Sequence, residues 1–478
     1  MKIKFLVSTL FFFLVASVFS LIHSQNVFFE TYFGTFSSEV GRSVQQLADG
    51  SIYVAGYANA GSKGEFDFAL NKSDRYGNLI WTKYYGDSLD NNGLFMNKCA
   101  DGNFIFVGET QTVSNGLDIL IYKIDTAGTV LWTKRYGSPV NESGRYIEQT
   151  HDNGYILCGL KNDTAGSNDI YTLKIDSVGN FLWDKMIGGI DNDYSSMIHE
   201  VENKQFIVIG DTKSMGAGSY DIEVAKMDSV GNIIWNKSYG DSVNNGSQGI
   251  LVTSKNKYLA YGESEATPSS PFDCHVELID TDGSSLWKKK LGEIKSDAAF
   301  SAVESKDGGF VFTGYSNSYA PGGLDVLILK TDSLGNLLWT NHYGDIGIDI
   351  GYHIIPSMYN GYLIAGTTTR GDGDFYLLHL DTMGTITGIQ KEYGRNCNVL
   401  FYPNPFNETS LLQISDWEKF KDQKPLLEIF DLLGRKVIRL EINNYEIAVP
   451  RHNLKSGIYT YLIEGNEGMI ASGKISAE

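Results

Sequence analysis

Six tryptophans, Trp81, Trp132, Trp183, Trp235, Trp287 and Trp339, recur at intervals of 51, 51, 52, 52 and 52 residues. Only a structural repeat keeps so large a side chain in step over 258 residues. Within each unit the apolar residues alternate, or run for four to six positions between clusters of Gly, Asp and Asn. That is the period of strands, not helices. A unit of about 50 residues with four strands is a propeller blade. Alignment on the turn Asp-x-x-Gly gives seven copies, from Asp74/Gly77 to Asp381/Gly384, the last of which lacks the Trp and reads TITGIQKEYG. The expected fold is all-β, a seven-bladed β-propeller, in preference to a flat β-solenoid, whose coils are usually shorter. Asn26 to Gly34, NVFFETYFG, looks like the last strand of a unit that no unit precedes. It is expected to complete or extend the seventh blade and close the ring.

Composition agrees and excludes several partners. The 478 residues include 52 Gly, 9 Pro and 60 aromatics, the balance of short strands joined by tight turns. A formal net charge of −18 argues against nucleic acid, because neutralising phosphates needs clustered Lys and Arg. Anionic membranes are disfavoured for the same reason. The acidity belongs to residues 25–396, which carry −18; the tail from Cys397 carries −2 and the first 24 residues +2.

Those first residues, MKIK followed by an apolar run, have the form of a secretory signal peptide, with cleavage expected before Leu21 or, preferably, Gln25. No Cys precedes Cys99, so a lipoprotein site is not expected, and no later stretch is long enough for a transmembrane helix. Cys99, Cys158, Cys274 and Cys397 are widely and irregularly spaced, and are read as small buried hydrophobes in preference to disulfides.

The blade pattern, DGxxxxxG, then the Asp-x-x-Gly turn, then a Trp on the last strand, loosely resembles quinoprotein-like propellers over residues 26–394. In that family the Trp docks between neighbouring blades. The resemblance carries blade geometry only, since the adjacent cysteine pair of the quinoprotein enzymes is absent.

From Cys397 the period stops. Short strands with turn signals at Pro403-Asn404-Pro405, Asp431/Gly434 and Ser456-Gly457 suggest a small immunoglobulin-like β-sandwich over 397–478. The YPNPF opening (Tyr402, Pro403, Asn404, Pro405), the DLLGRKV segment with Gly434 and Arg435, and LKSGIYTYLI with Gly457 and Tyr459 resemble the type A C-terminal sorting domain of the type IX (Por) secretion system of the Bacteroidota. The resemblance implies passage through the periplasm and across the outer membrane, recognition by the type IX machinery and its C-terminal signal peptidase, and surface anchoring or release.

Candidate chemistry is sparse. An Asp opens the third strand of every unit: Asp67, Asp118, Asp169, Asp221, Asp273, Asp325 and Asp374. Seven copies of one residue suit a fold better than a site, and each carboxylate is expected to accept hydrogen bonds from its own preceding loop. Lys72, Lys123, Lys174, Lys226 and Lys330 recur before the turn and are read as structural by the same argument. Acidic loops after Tyr-Gly, such as the one carrying Asp87, Asp90, Asn91 and Asn92, resemble short cation loops without the spacing of a calcium loop, so calcium is the one cofactor expected. The turn motif Asp-Ser/Thr-apolar, as at Asp176-Ser177-Val178, resembles the O-glycan acceptor pattern of exported Bacteroidota proteins. No nucleophile elbow and no metal triad is visible, and acidic residues are too numerous to nominate a catalytic pair. No catalytic, cofactor or metal residue is therefore assigned. The leading reading is a secreted or surface binding protein that holds an extracellular protein or glycan through loops on one propeller face. A polysaccharide hydrolase or lyase and a structural spacer are the alternatives. The fifth unit departs most from the pattern, with EATPSSPFDCHVELIDTDG in place of a Gly-rich loop.

Overall fold

The computed structural model describes residues 28–34, 38–59, 66–113, 116–217, 219–268, 270–318, 323–369, 373–386, 399–402, 406–414, 417–431, 435–451, 454–466 and 468–477. The chain divides into two compact units, Met1–Gly388 and Ile389–Glu478. The expected signal peptide, Cys397 and most of TITGIQKEYG lie outside the described residues.

The first unit is a β-propeller. Among the described residues seven four-stranded antiparallel sheets follow one another, six built from consecutive strands. In the first sheet these are Glu39–Gln46, Ile52–Ala58, Asp67–Ser73 and Leu79–Tyr85. The inner strands pack against one another in a closed cycle, Glu39–Gln46 meeting both Asn91–Lys98 of the second sheet and Asp349–Ser357 of the seventh. Second and third strands are buried runs, as in VAG of Val54–Gly56 and FALN of Phe68–Asn71, because both faces of each sheet are covered by neighbouring sheets.

The tryptophans hold neighbouring sheets together. Each turn Gly has φ between +67° and +83°, where a side chain is strained, and its bare Cα gives a flat seat. Trp81, Trp183, Trp287 and Trp339 lie against Gly128, Gly231, Gly335 and Gly384 of the next sheet. Trp132 and Trp183 also pack edge-on against Tyr155 and Phe206 of the following sheet. The Tyr of Tyr-Gly adds a hydrogen bond across the same joint: the Tyr85 and Tyr343 hydroxyls donate to the Gly128 and Gly384 carbonyls at 2.9 and 2.7 Å.

The seventh sheet closes the ring. Its fourth strand is Phe29–Phe33, paired antiparallel with Asp374–Asp381, Tyr32 opposite Tyr376. The N-terminal strand thus completes the sheet, and Phe29 lies against Gly77 of the first sheet, where the other sheets place Trp.

The second unit has two sheets. Val399–Tyr402, Thr409–Ile414 and Glu446–Pro450 form one, and Lys436–Glu441, Leu426–Phe430, Gly457–Gly465 and Gly468–Ala477 the other. Phe401, Leu412 and Val449 of the first pack with Leu427, Ile429, Tyr461 and Ile463 of the second in one core, which is a β-sandwich. Tyr402 ends the first strand, Gly457 opens the third of the second sheet, and the Tyr459 hydroxyl donates to the Lys455 carbonyl at 2.8 Å. Arg435 pairs with Asp431, Nε to Oδ2 at 2.7 Å; Pro403, Asn404, Pro405 and Gly434 lie outside the described residues.

Candidate functional site at the mouth of the propeller axis

One irregularity is repeated in all seven sheets. Each inner strand carries a β-bulge that sets one extra residue against the second strand: Arg42, Leu94, Arg145, Ser196, Gln248, Phe300 and Tyr352. Opposite each bulge the second strand has a Gly, such as Gly56 or Gly262, whose Cβ would collide with an inner-strand carbonyl oxygen. The residues just after these glycines are Tyr57, Glu109, Leu160, Asp211, Glu263, Tyr315 and Thr367. Both sets surround the axis near the face formed by the loops that enter the inner strands. Both vary in chemistry from sheet to sheet, unlike the Trp, the turn Asp or the Gly beside them.

Five sheets join these residues into one arc. The Arg42 guanidinium sits 4.1 Å from the Tyr352 ring centroid and 5.8 Å from that of Tyr57. Tyr352 stacks on Phe300, centroids 5.5 Å apart and planes 11° apart, and Phe300 meets Tyr315 edge-on at 5.5 Å. The Tyr315 hydroxyl donates to Glu263 Oε2 at 3.4 Å. There the arc opens into a cleft of about 410 Å³ between the fourth and fifth sheets, lined by Tyr194, Asp211, Ser219, Tyr220, Asn244, Gly246, Glu263 and Phe272. Phe272 belongs to the aberrant EATPSSPFDC segment, so the unit that departs most from the repeat supplies one of the two walls of the cleft.

Two carboxyl groups in this cleft are electrostatically unusual. Burial pushes Asp211 up to about 6, with the Glu263 charge adding to it, against hydrogen bonds from Ser247 and the pull of Arg145. Burial also raises Glu263, eased by the Tyr315 hydroxyl. Concavity, aromatic walls and carboxyls held above their ordinary range together make this cleft the candidate site.

The residues singled out by repetition lie elsewhere. The seven third-strand aspartates sit at the joints between sheets, each carboxylate against the Gly that ends an outer strand: Asp67 with Gly86, Asp118 with Gly137, Asp169 with Gly188, Asp221 with Gly240, Asp273 with Gly292, Asp325 with Gly344 and Asp374 with Gly34. Asp221 accepts from Ala217 of its own loop at 2.6 Å, whereas Asp118 takes Arg135 Nε at 2.6 Å. The first residue of the next inner strand joins them, an amide at Asn245, where Nδ2 donates to Asp221 Oδ1 at 3.4 Å, and a carboxylate at Asp193 beside Asp169. Burial, then Asp163 and Asp193, pushes Asp169 up to about 6. Among the repeated lysines, Lys123, Lys174 and Lys330 are buried and pair with Asp101, Asp152 and Asp307 of the hairpin turns. Among the described residues, no group of three or more His, Cys, Asp or Glu is placed to hold a metal ion. Cys99, Cys158 and Cys274 are free and buried.

The bulge residues share no repeated chemistry, because their signature is variation. The register that finds them is nevertheless in the sequence: each follows its Trp, or Phe29, by thirteen positions.

Residues 400–476 match the family model of the secretion system C-terminal sorting domain. The C-terminal unit is such a domain, which brings the chain to the type IX machinery and indicates export to the cell surface or the medium. The regulatory protein FlaEY of Caulobacter vibrioides is 26% identical over 251 residues, 45% of this chain. The chain spans only 26% of that relative's length. Among solved structures, PorZ, a surface component of the type IX secretion system of Porphyromonas gingivalis, is similar at 11% identity and a TM-score of 0.40 over 91% of this chain and 59% of PorZ. The propeller domain of the trilobed protease of Pyrococcus furiosus is similar at 10% identity and a TM-score of 0.43 over 72% of this chain and 94% of that domain. No helix among the described residues is long and apolar enough to cross a membrane.

Proposed function

We propose that this chain is a secreted or surface-held binding protein of the Bacteroidota, delivered through an N-terminal signal peptide and type IX secretion, that holds a glycan at the mouth of its propeller axis. The observation that carries the reading is the cleft in which Asp211 and Glu263 face Tyr194, Tyr220 and Phe272. A sugar ring has an apolar face of C–H groups and a rim of hydroxyls. Aromatic walls cover the first, and carboxylates accept from the second. Loops of differing sequence on a rigid ring suit recognition without chemistry.

The raised carboxyls support a second reading, glycoside cleavage, in which a protonated carboxyl serves as acid and a partner as base or nucleophile. One experiment separates the two. The purified chain is screened on a glycan array, with and without calcium, and the polysaccharides that bind are assayed for released reducing ends. Binding without release, weakened about ten- to a hundred-fold by Asp211→Asn or Glu263→Gln, is expected, the loss of one charged hydrogen bond. Release of reducing ends that those variants abolish would establish the hydrolase. Failure to bind any glycan would defeat both.

A further inference from the structure

We propose that Arg42 is an oxyanion subsite in this mouth, so that the glycan held there is an acidic one carrying carboxylate or sulfate groups. The inference rests on the glycan-binding reading and adds the ligand's charge. Fifty-seven Asp and Glu crowd this chain, and other side chains of its kind find them: Arg135 pairs with Asp118 at 2.6 Å, and Arg435 with Asp431 at 2.7 Å. Arg42 does not. It makes no hydrogen bond or ion pair among the described residues, and its Nε is buried without an acceptor. Its position is nonetheless fixed, by the bulge on the backbone side and by the rings of Tyr352 and Tyr57.

A guanidinium stacked on aromatic rings keeps its donors in the plane and its rotamer fixed, which lowers the ordering cost of binding a planar or tetrahedral oxyanion through two parallel hydrogen bonds. A buried donor without a partner in the free protein gains most from such a ligand. Arg145, at the same bulge position two sheets away, is exposed and likewise carries no ion pair among the described residues, which offers a second cation to a chain of repeated anionic sugars. The carboxyls of Asp211 and Glu263 do not oppose this. They lie at the other end of the arc, separated from Arg42 by Tyr352, Phe300 and Tyr315, where hydroxyls would be bound.

The test titrates the full chain with polygalacturonate, dextran sulfate and neutral dextran at two salt concentrations, for the wild type, Arg42→Gln and Arg42→Lys. The wild type is expected to bind at least one acidic polymer tenfold or more tightly than dextran, with affinity falling as salt rises. Arg42→Gln should erase that preference, and Arg42→Lys, which keeps the charge and the stem but not the fork, should lose several-fold. The two acidic probes tell carboxylate from sulfate. Unfolding midpoints of both variants show whether the ring is intact, and Arg42→Lys carries the test if Arg42→Gln does not fold. Equal affinity for acidic and neutral polymers, or an acidic preference that survives in both variants, overturns the subsite while leaving glycan binding in place. Binding of no glycan by the wild type overturns both.

Discussion

Replacing Asp211 by Asn is expected to make the propeller more stable, and the gain should depend on pH. In the folded chain burial holds the Asp211 proton up to about 6, whereas an unfolded Asp loses it near 3.8. As pH rises, the unfolded chain therefore ionises first, and folding is opposed by an amount that grows between about pH 4 and 6 and is constant above. At about 1.36 kcal/mol for each pH unit of displacement the penalty is roughly 3 kcal/mol at pH 8 and about 1 kcal/mol at pH 4.5. Asn removes the charge and keeps an amide oxygen to accept from the Ser247 N–H that now donates to Oδ1. Urea unfolding followed by tryptophan fluorescence is a suitable assay, because six tryptophans sit in the propeller and several lie at its inter-sheet joints. The variant should gain up to about 3 kcal/mol at pH 8 and about a third of that at pH 4.5. A variant destabilised equally at both pH values would refute the reasoning, since the carboxylate would then be serving the fold by its hydrogen bonds and bearing no penalty for its charge. A stabilising loss at a side chain that walls a cleft is the mark of a group retained for binding or reaction.

Two other expectations follow from the joints and the core. Phe29→Ala should cost about 2–3 kcal/mol, below the usual value for a buried Phe because the ring is half-buried, while Phe29→Trp should stay within about 1 kcal/mol of wild type; equal effects of the two in urea unfolding would mean that the seat on Gly77 is not what closes the ring. Burial pushes the Cys158 thiol up to about 12 and raises Cys99 and Cys274. None of the three should react with a maleimide at pH 8 until denaturant is added, and labelling within minutes in the folded protein would contradict their placement.

The sheets were legible because their markers repeat. The aromatic ring at the Trp position, the Asp-x-x-Gly turn and the Gly that follows each outer strand do one mechanical task per sheet, so each recurs at one spacing. Even the closure was legible, since Phe29 precedes Gly34 by the same five residues that separate Trp81 from Gly86. The sorting domain was legible from three short segments in order. The candidate site was not, for two physical reasons. Its bulge residues are defined by backbone geometry, and a bulge leaves its own residue free to be Arg, Leu, Ser, Gln, Phe or Tyr. Asp211 and Glu263 are set apart by where the fold puts them, in one cleft with Tyr194, Tyr220 and Phe272, which no local pattern of residues encodes. Repetition instead directed attention to the seven joint aspartates, where the task is structural. The expectation that each is satisfied by its own preceding loop holds for Asp221; their common neighbour is the Gly that ends an outer strand.

The clasp between Phe29–Phe33 and Asp374–Asp381 also acts as a check on completeness. Six sheets are assembled from contiguous stretches of chain, but the seventh waits for a strand made at the other end of synthesis, with Tyr376 bonded to Glu30 across 346 residues. Until Asp374–Asp381 arrives, the first strand offers an unpaired edge, the feature that quality-control proteases and aggregation both exploit. A chain cut short anywhere before that point is left as an open arc with its inner faces uncovered. Only a chain that runs through Asp381 can latch, so ring closure reports that synthesis has passed the strand that receives Phe29–Phe33.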